Sequence, residues 1–176
     1  MAISLPIHWR IRDAGDRGNT GGEPVPLKEV VELLRKGSAF ARRTKYKDAM
    51  AYFNKALSLD PRYAESWCLR GSVFLDTGKY NEGLADCEKA IALDQNYEEA
   101  WSKKALALYH LERFEDALLA STRASSLNGN DATAWYIRGV CLDELGRSDE
   151  AQVAYGKSLE LEIILDMEAE QKRMRK

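Results

Sequence analysis

The stretch Trp67-Cys68-Leu69-Arg70-Gly71 decides the fold, because its pattern returns at a fixed interval. Trp101 lies 34 residues after Trp67, and Trp135 lies 34 after Trp101. Gly71, Ala105 and Gly139 keep the same step, and Gly37 anticipates them by one. Ala56, Ala90, Ala124 and Ser158 run in register, as do Leu59, Leu93, Leu127 and Leu161. Self-similarity at this period marks stacked helical units, none of which buries its apolar face alone.

Counting outward from that stretch gives four units, 30–63, 64–97, 98–131 and 132–165. In the second, Trp67, Val73 and Phe74 fall on one helical face with Gly71 between them. A break follows at Thr77-Gly78-Lys79. Tyr80, Gly83, Leu84, Cys87, Ala90 and Ile91 then recur at three- and four-residue steps and predict a second amphipathic helix. The same reading predicts helices over 27–42 and 46–58, 62–76 and 80–92, 96–110 and 114–126, and 130–144 and 148 onward. Short links make consecutive helices antiparallel, so each unit is a hairpin.

The recurring residues have physical roles. Gly37, Gly71, Ala105 and Gly139, met by Ala49, Gly83, Ala117 and Ala151, lack the bulk that would hold two helices apart. Phe40, Phe74, Leu108 and Leu142, with Tyr46, Tyr80 and Phe114, fill the space beside them. Asp60-Pro61 and Asn128-Gly129-Asn130-Asp131 supply stop, turn and cap chemistry between units. Lys45, Lys79, Arg113 and Arg147 recur near the ends of first helices, where the helix dipole favours cations.

These positions resemble the signature of the tetratricopeptide repeat family. The first unit reads Leu33…Gly37…Phe40…Ala49…Phe53…Ala56…Pro61 and the second Trp67…Gly71…Phe74…Gly83…Cys87…Ala90. The third reads Trp101…Ala105…Leu108…Ala117…Ser121…Ala124 and the fourth Trp135…Gly139…Leu142…Ala151…Tyr155…Ser158. The resemblance spans residues 30–165. It implies an all-α, right-handed superhelical α-solenoid of four tetratricopeptide-like hairpins with a C-terminal helical extension. It also implies that first helices line a concave face on which partners bind.

The ends of the chain differ from the repeats. Asp13 to Pro26 is rich in Gly and Pro, so residues 1–26 are expected to form a flexible or extended arm. Ile3-Ser-Leu-Pro-Ile-His-Trp-Arg-Ile11 carries apolar side chains without a core of its own. The alternative is therefore a peptide docked on a groove of its own chain or of a neighbour. Past Leu161 neither Gly nor Pro occurs, which predicts a charged helix over 162–176 continuous with the last repeat helix. A folded-back cap over the last unit is the alternative. Its acidic start (Glu162, Asp166, Glu168, Glu170) and basic end (Lys172, Arg173, Arg175, Lys176) suit the macrodipole.

Composition excludes several function classes. The chain has 176 residues, 45% hydrophobic and 31% charged, with a formal net charge of −2. That balance gives no reason to expect nucleic acid or an anionic membrane as partner, despite a local basic run of Arg35, Lys36, Arg42, Arg43, Lys45 and Lys47. No apolar run is long enough to span a bilayer, and the first ten residues do not form a secretory signal. Three widely separated cysteines, Cys68, Cys87 and Cys141, match no disulfide framework or zinc spacing. Buried free thiols in a reducing, cytoplasmic setting are expected.

No reactive constellation stands out. Gly71 and Gly139 sit inside helices rather than on phosphate-binding turns. Adjacent carboxylates, Glu98 with Glu99 and Asp143 with Glu144, diverge around the helix and suit acid/base work poorly. His110 and Glu144 lie one 34-residue step apart, where a surface ion pair is expected. The sequence predicts no enzyme, no metal and no cofactor.

What remains is binding. Equivalent first-helix positions give candidate lining rows: Leu34, Cys68, Ser102 and Tyr136; Ser38, Ser72, Leu106 and Val140; and Arg35, Leu69, Lys103 and Ile137. One turn on lie Ala41, Leu75, Tyr109 and Asp143, with Arg42, Asp76, His110 and Glu144 at the far edge. Cations gather toward the first unit, apolar groups and carboxylates toward the fourth. An extended peptide with an acidic part and a hydrophobic-then-basic part would complement them. Some relatives in the resembled family clamp a chaperone's C-terminal carboxylate with lysines and asparagines. Those positions fall here on Leu34, Ser38, Leu69, Glu99 and Lys103, and only Lys103 could serve, which argues against that ligand. The reading is a non-catalytic adaptor with a protein or peptide partner. The alternative is a self-associating module, a homo-oligomer joined by the N-terminal arm or by Ile163, Ile164, Leu165 and Met167 of the last helix.

Overall fold

The structure, a computed structural model, describes residues 27–175. The arm expected over residues 1–26 lies outside the described residues. The fold is all-α, with eight helices among the described residues packed as sequential hairpins. They are α1 (Leu27–Ala41), α2 (Tyr46–Leu59), α3 (Ala64–Asp76), α4 (Tyr80–Leu93), α5 (Glu98–His110), α6 (Phe114–Leu127), α7 (Ala132–Glu144) and α8 (Ser148–Met174). The described residues divide into two compact units, one running up to Gln95 and the other starting at Asn96. In the first, α2 packs between α1 and α3, α4 packs on α3, and α1 touches α3. In the second, α6 packs between α5 and α7, α8 packs on α7, and α5 touches α7.

One device ends every first helix. Thr44, Gly78, Glu112 and Gly146 have φ of 57°, 75°, 58° and 74°, all in the left-handed region. Their N–H groups donate to Ala41, Leu75, Tyr109 and Asp143 at 2.8, 3.0, 2.9 and 2.9 Å. The next residue's N–H reaches back to Phe40, Phe74, Leu108 and Leu142 at 3.0, 2.8, 2.9 and 2.8 Å. This is the Schellman pair of bonds, which satisfies the last carbonyls and reverses the chain. Glycine adopts that φ freely, whereas Glu112 and the β-branched Thr44 adopt it at a cost.

The basic residues after these turns are placed differently from the expectation. Lys45, Lys79, Arg113 and Arg147 are the N-caps of α2, α4, α6 and α8, so they face the wrong end of a dipole. Carboxylates in the first turn offset this. Arg113 pairs with Asp116 at 2.6 Å and Arg147 with Glu150 at 2.8 Å.

Helix spacing within each hairpin follows from the small residues. A Cβ on Gly37 would lie 2.5 Å from Phe53 Cε1, and one on Gly139 would lie 2.7 Å from Tyr155 Cδ1. At Gly71 the nearest atoms would be Asp86 Cβ at 3.2 Å and the Gly83 carbonyl at 3.3 Å. The third unit has Ala105 instead, and the residue equivalent to Phe53 and Tyr155 is the small Ser121. Bulk on one helix is matched by its absence on the other. Leu34, Phe53, Leu69 and Val73 form the centre of the first unit's core, while Leu142, Ala151 and Ala154 anchor the second against Trp135 and Tyr155.

The tryptophans are half-buried rather than central. Trp67 Nε1 donates to the Pro61 carbonyl at 2.8 Å, and Trp135 Nε1 to the Gly129 carbonyl at 2.9 Å. Each indole thus ties the loop before its helix and carries a cation on its face. Arg70 lies 4.8 Å from the Trp67 ring, Lys104 5.6 Å from Trp101 and Arg138 5.1 Å from Trp135. Arg70 does more, because it forks onto buried Asp86 at 2.7 and 2.8 Å and reaches Asn54 at 2.9 Å. One guanidinium thereby joins α2, α3 and α4.

Helix α8 is continuous from Ser148 to Met174, with Leu161 its last buried residue. Beyond Leu161 it carries Ile163, Ile164, Leu165, Met167 and Met174 exposed to solvent.

Three substitutions test these roles by thermal or urea unfolding. Gly139→Ala is expected to cost about 1–3 kcal/mol, since Tyr155 must move, and Tyr155→Ser in the same chain should recover part of that loss. Thr44→Gly should stabilise by roughly 0.5–1 kcal/mol by relieving the left-handed turn. Asp86→Asn should cost about 1–3 kcal/mol, because it leaves the Arg70 charge partly buried beside a neutral group.

Candidate functional site

First helices carry every candidate binding residue, and the structure sorts them by exposure. In the first unit, Leu34, Ser38, Cys68, Leu69 and Ser72 are all buried, with Leu34 and Leu69 inside the core. Ser38, Cys68 and Ser72 are enclosed along with them. Arg35 alone of the six is exposed. Its guanidinium forks onto Glu32 at 2.8 Å through two bonds, which draws that carboxyl down to about 2.

The second unit is more open. Ser102, Lys103 and Ile137 are buried, whereas Leu106 and Tyr109 on α5 and Tyr136 and Val140 on α7 are half-buried. Four side chains of mixed aliphatic and aromatic character are thus accessible on two helices that touch. The aromatics extend further. Tyr136 lies 5.9 Å from Tyr155 between ring centroids, and the Tyr155 hydroxyl donates to Asp143 Oδ2 at 3.1 Å. Burial, with the Asp143 bond and charge adding to it, raises the Tyr155 hydroxyl far above the ordinary phenol range. Burial also raises Tyr109, assisted by Tyr136 and Glu144. Both hydroxyls keep their protons at neutral pH and can serve as donors.

At the C-terminal ends of α5 and α7 lies a hollow of about 450 Å³ lined by Tyr109, His110, Glu112, Phe114 and Glu144. Tyr109 stands 5.2 Å from His110 and 6.3 Å from Phe114 between centroids. Burial lowers the His110 pKa from its ordinary value. His110 and Glu144, expected to meet as a surface ion pair, line this one depression. Glu112 and Phe114 were not among the expected binding residues. Their signal was present in Glu112, which occupies a turn position that carries glycine in the second and fourth units.

Chemically reactive groups are not assembled here. Cys68, Cys87 and Cys141 are buried free thiols. Burial, with Glu144 adding repulsion, pushes the Cys141 thiol up to about 11. Among the described residues no group of three His, Cys, Asp or Glu side chains could hold a metal ion, and no helix is long and apolar enough to cross a membrane.

Family models of the tetratricopeptide repeat match residues 33–63, 64–97 and 102–160. The chain belongs to the tetratricopeptide repeat family. Domains of this family are binding modules for peptides and proteins, and they are typically non-catalytic. No curated protein matches the sequence. Solved structures do. MamA aligns with a TM-score of 0.69 at 24% identity, over 81% of this chain and 83% of its own. The first tetratricopeptide domain of Spaghetti (RPAP3), bound to the HSP90 peptide SRMEEVD, aligns at 0.68 and 25% identity, over 71% of this chain and 99% of its own. YrrB, described as having an unusual peptide-binding site, aligns at 0.66 and 26% identity, over 77% of this chain and 70% of its own.

Thiol chemistry checks the burial. A disulfide reagent at pH 8 should label almost none of the three cysteines in the native protein and all three after unfolding. Rapid labelling of the native protein would contradict their enclosure.

Proposed function

We propose that this chain is a non-catalytic adaptor that binds an extended peptide or protein segment on its first-helix face. The observation that carries the reading is the accessible set Leu106, Tyr109, Tyr136 and Val140 on α5 and α7. Aromatic and aliphatic side chains already held by packing give large contact area at little entropic cost, which is what a peptide-binding surface needs. The likeness to two peptide-binding relatives, at 25% and 26% identity, supports the same reading. Of the other candidates on α5 and α7, Ser102, Lys103 and Ile137 are buried and contribute to packing. A chaperone tail ending in a free carboxylate is disfavoured. Leu34, Ser38, Leu69 and Glu99 stand at the clamp positions beside Lys103, and Glu99 repels a carboxylate. The cytoplasm remains the compartment that free thiols suit.

A second reading, self-association, rests on α8. Ile163, Ile164, Leu165 and Met167 are exposed by 52, 43, 47 and 56%. Such a cluster at the end of a repeat array favours a covering partner.

Selection of random twelve-residue peptides on the immobilised protein tests the adaptor reading. Enriched peptides should bind the unmodified chain at micromolar concentrations and lose at least about tenfold in affinity with Leu106→Glu plus Tyr136→Glu. Unaltered helix content in that variant keeps the comparison fair. Peptides that bind the variant equally well would overturn the reading. Light scattering across concentrations decides the second reading, since a strict monomer removes it.

A further inference from the structure

The hollow at the ends of α5 and α7 has a chemistry distinct from the rest of the first-helix face. Two aromatic rings, Tyr109 and Phe114, stand in its wall, and Glu112 and Glu144 contribute two carboxylates. Neither carboxylate has a hydrogen bond or an ion pair among the described residues. Two other exposed carboxylates on these hairpins, Asp116 and Glu150, are each paired with an arginine of their own turn. Among the described residues no lysine or arginine lines the hollow, and burial lowers the pKa of its histidine.

A neutral aromatic wall beside uncompensated carboxylates selects for positive charge. Ring faces carry negative quadrupole density, and a cation seated on them while facing a carboxylate gains from both. Guanidinium suits this better than ammonium, because its plane stacks on a ring while its edge offers paired donors to carboxylate oxygens. The volume of about 450 Å³ falls within the range of ligand-sized pockets, roughly 300–1,000 Å³. Glu112 stands at the rim, on the turn between α5 and α6. Leu106 and Tyr109 lie on the same helix as the hollow, one residue of α5 serving both surfaces.

We propose that this hollow is a specificity pocket for an arginine side chain of the bound peptide, stacked against Tyr109 and Phe114 and paired with Glu112 and Glu144. This deepens the adaptor reading and rests on it: the accessible apolar face holds the peptide's body, and the hollow selects a basic residue in it.

The test uses the whole chain and small probes. With only two histidines in the sequence, His8→Gln leaves the His110 imidazole as a single proton NMR reporter. At pH 7, N-acetyl-arginine amide should shift the His110 and Tyr109 ring signals with a dissociation constant on the order of 10 mM. The isosteric, uncharged N-acetyl-citrulline amide should bind at least about tenfold more weakly, and so should arginine amide to Glu112→Gln plus Glu144→Gln. Both glutamines are exposed substitutions that leave the helices intact, which circular dichroism checks. Absent shifts, equal response to citrulline, or an unchanged constant in the double variant each overturns the pocket. The peptide selection separates the two readings. Peptides that need Leu106 and Tyr136 but show no enrichment of arginine leave the adaptor standing and remove the pocket. Arginine-dependent shifts without any selected peptide do the reverse.

Discussion

Each hairpin in this chain depends on how closely its two helices approach, and that distance is set by a missing side chain. Where the first helix has glycine, as at residues 37 and 139, a Phe or Tyr ring from the second helix lies almost where a Cβ would be. Where it has alanine, at residue 105, the facing residue shrinks to Ser121. A void would forfeit dispersion contacts and an added methyl would force strain, so each pair behaves as one unit of volume divided between two helices. The Schellman turn then fixes where the second helix begins. Together, a contact and a turn repeated four times carry the fold.

Most of that was legible before any coordinates. Periodicity exposes small and large positions alike, because the repeats must solve the same packing problem in the same register. What periodicity does not resolve is how far a side chain's surroundings close over it. Cys68, Ser102 and Tyr136 share one register position, yet Cys68 and Ser102 are buried while Tyr136 is half-buried. Burial at those positions comes from side chains on neighbouring helices, which differ from unit to unit. The cations at Lys45, Lys79, Arg113 and Arg147 were misplaced for another reason. A left-handed residue shortens the link so far that one residue both ends a first helix's bonding and caps the next helix. The hollow at His110 was only half legible. His110 and Glu144 were linked by the repeat step, but Glu112 and Phe114 enter through the turn, and turn geometry is invisible to a helical period.

Repeats alike in backbone therefore diverge in what they do with equivalent residues. Arg70 finds Asp86 across its hairpin and Asn54 on the helix before, and its charge is fully engaged. Arg138 holds the same position in the fourth unit, yet the residue equivalent to Asp86 is Ala154, and its buried Nε has no partner among the described residues. Both arginines still cover their tryptophans, so the loop staple survives while the ion pair does not. Helices α7 and α8 therefore lack the buried charge pair that joins α3 and α4.

That difference fits the placement of the accessible surface. In the first unit, inner positions hold Leu34, Leu69 and small serines sealed within the core, and the Arg70 network braces three helices. In the second, equivalent or neighbouring positions hold Leu106, Tyr109, Tyr136 and Val140, large enough to project and not fully covered. Aromatic rings resist collapse because their rotamers are few, and Tyr136 packs beside Tyr155, whose hydroxyl is anchored on Asp143. A surface of that kind keeps its shape without a bound partner, so little ordering entropy opposes association. The first unit closes its inner positions and the second leaves some of them accessible, and the same repeated backbone supports both because only the residues between its fixed points change.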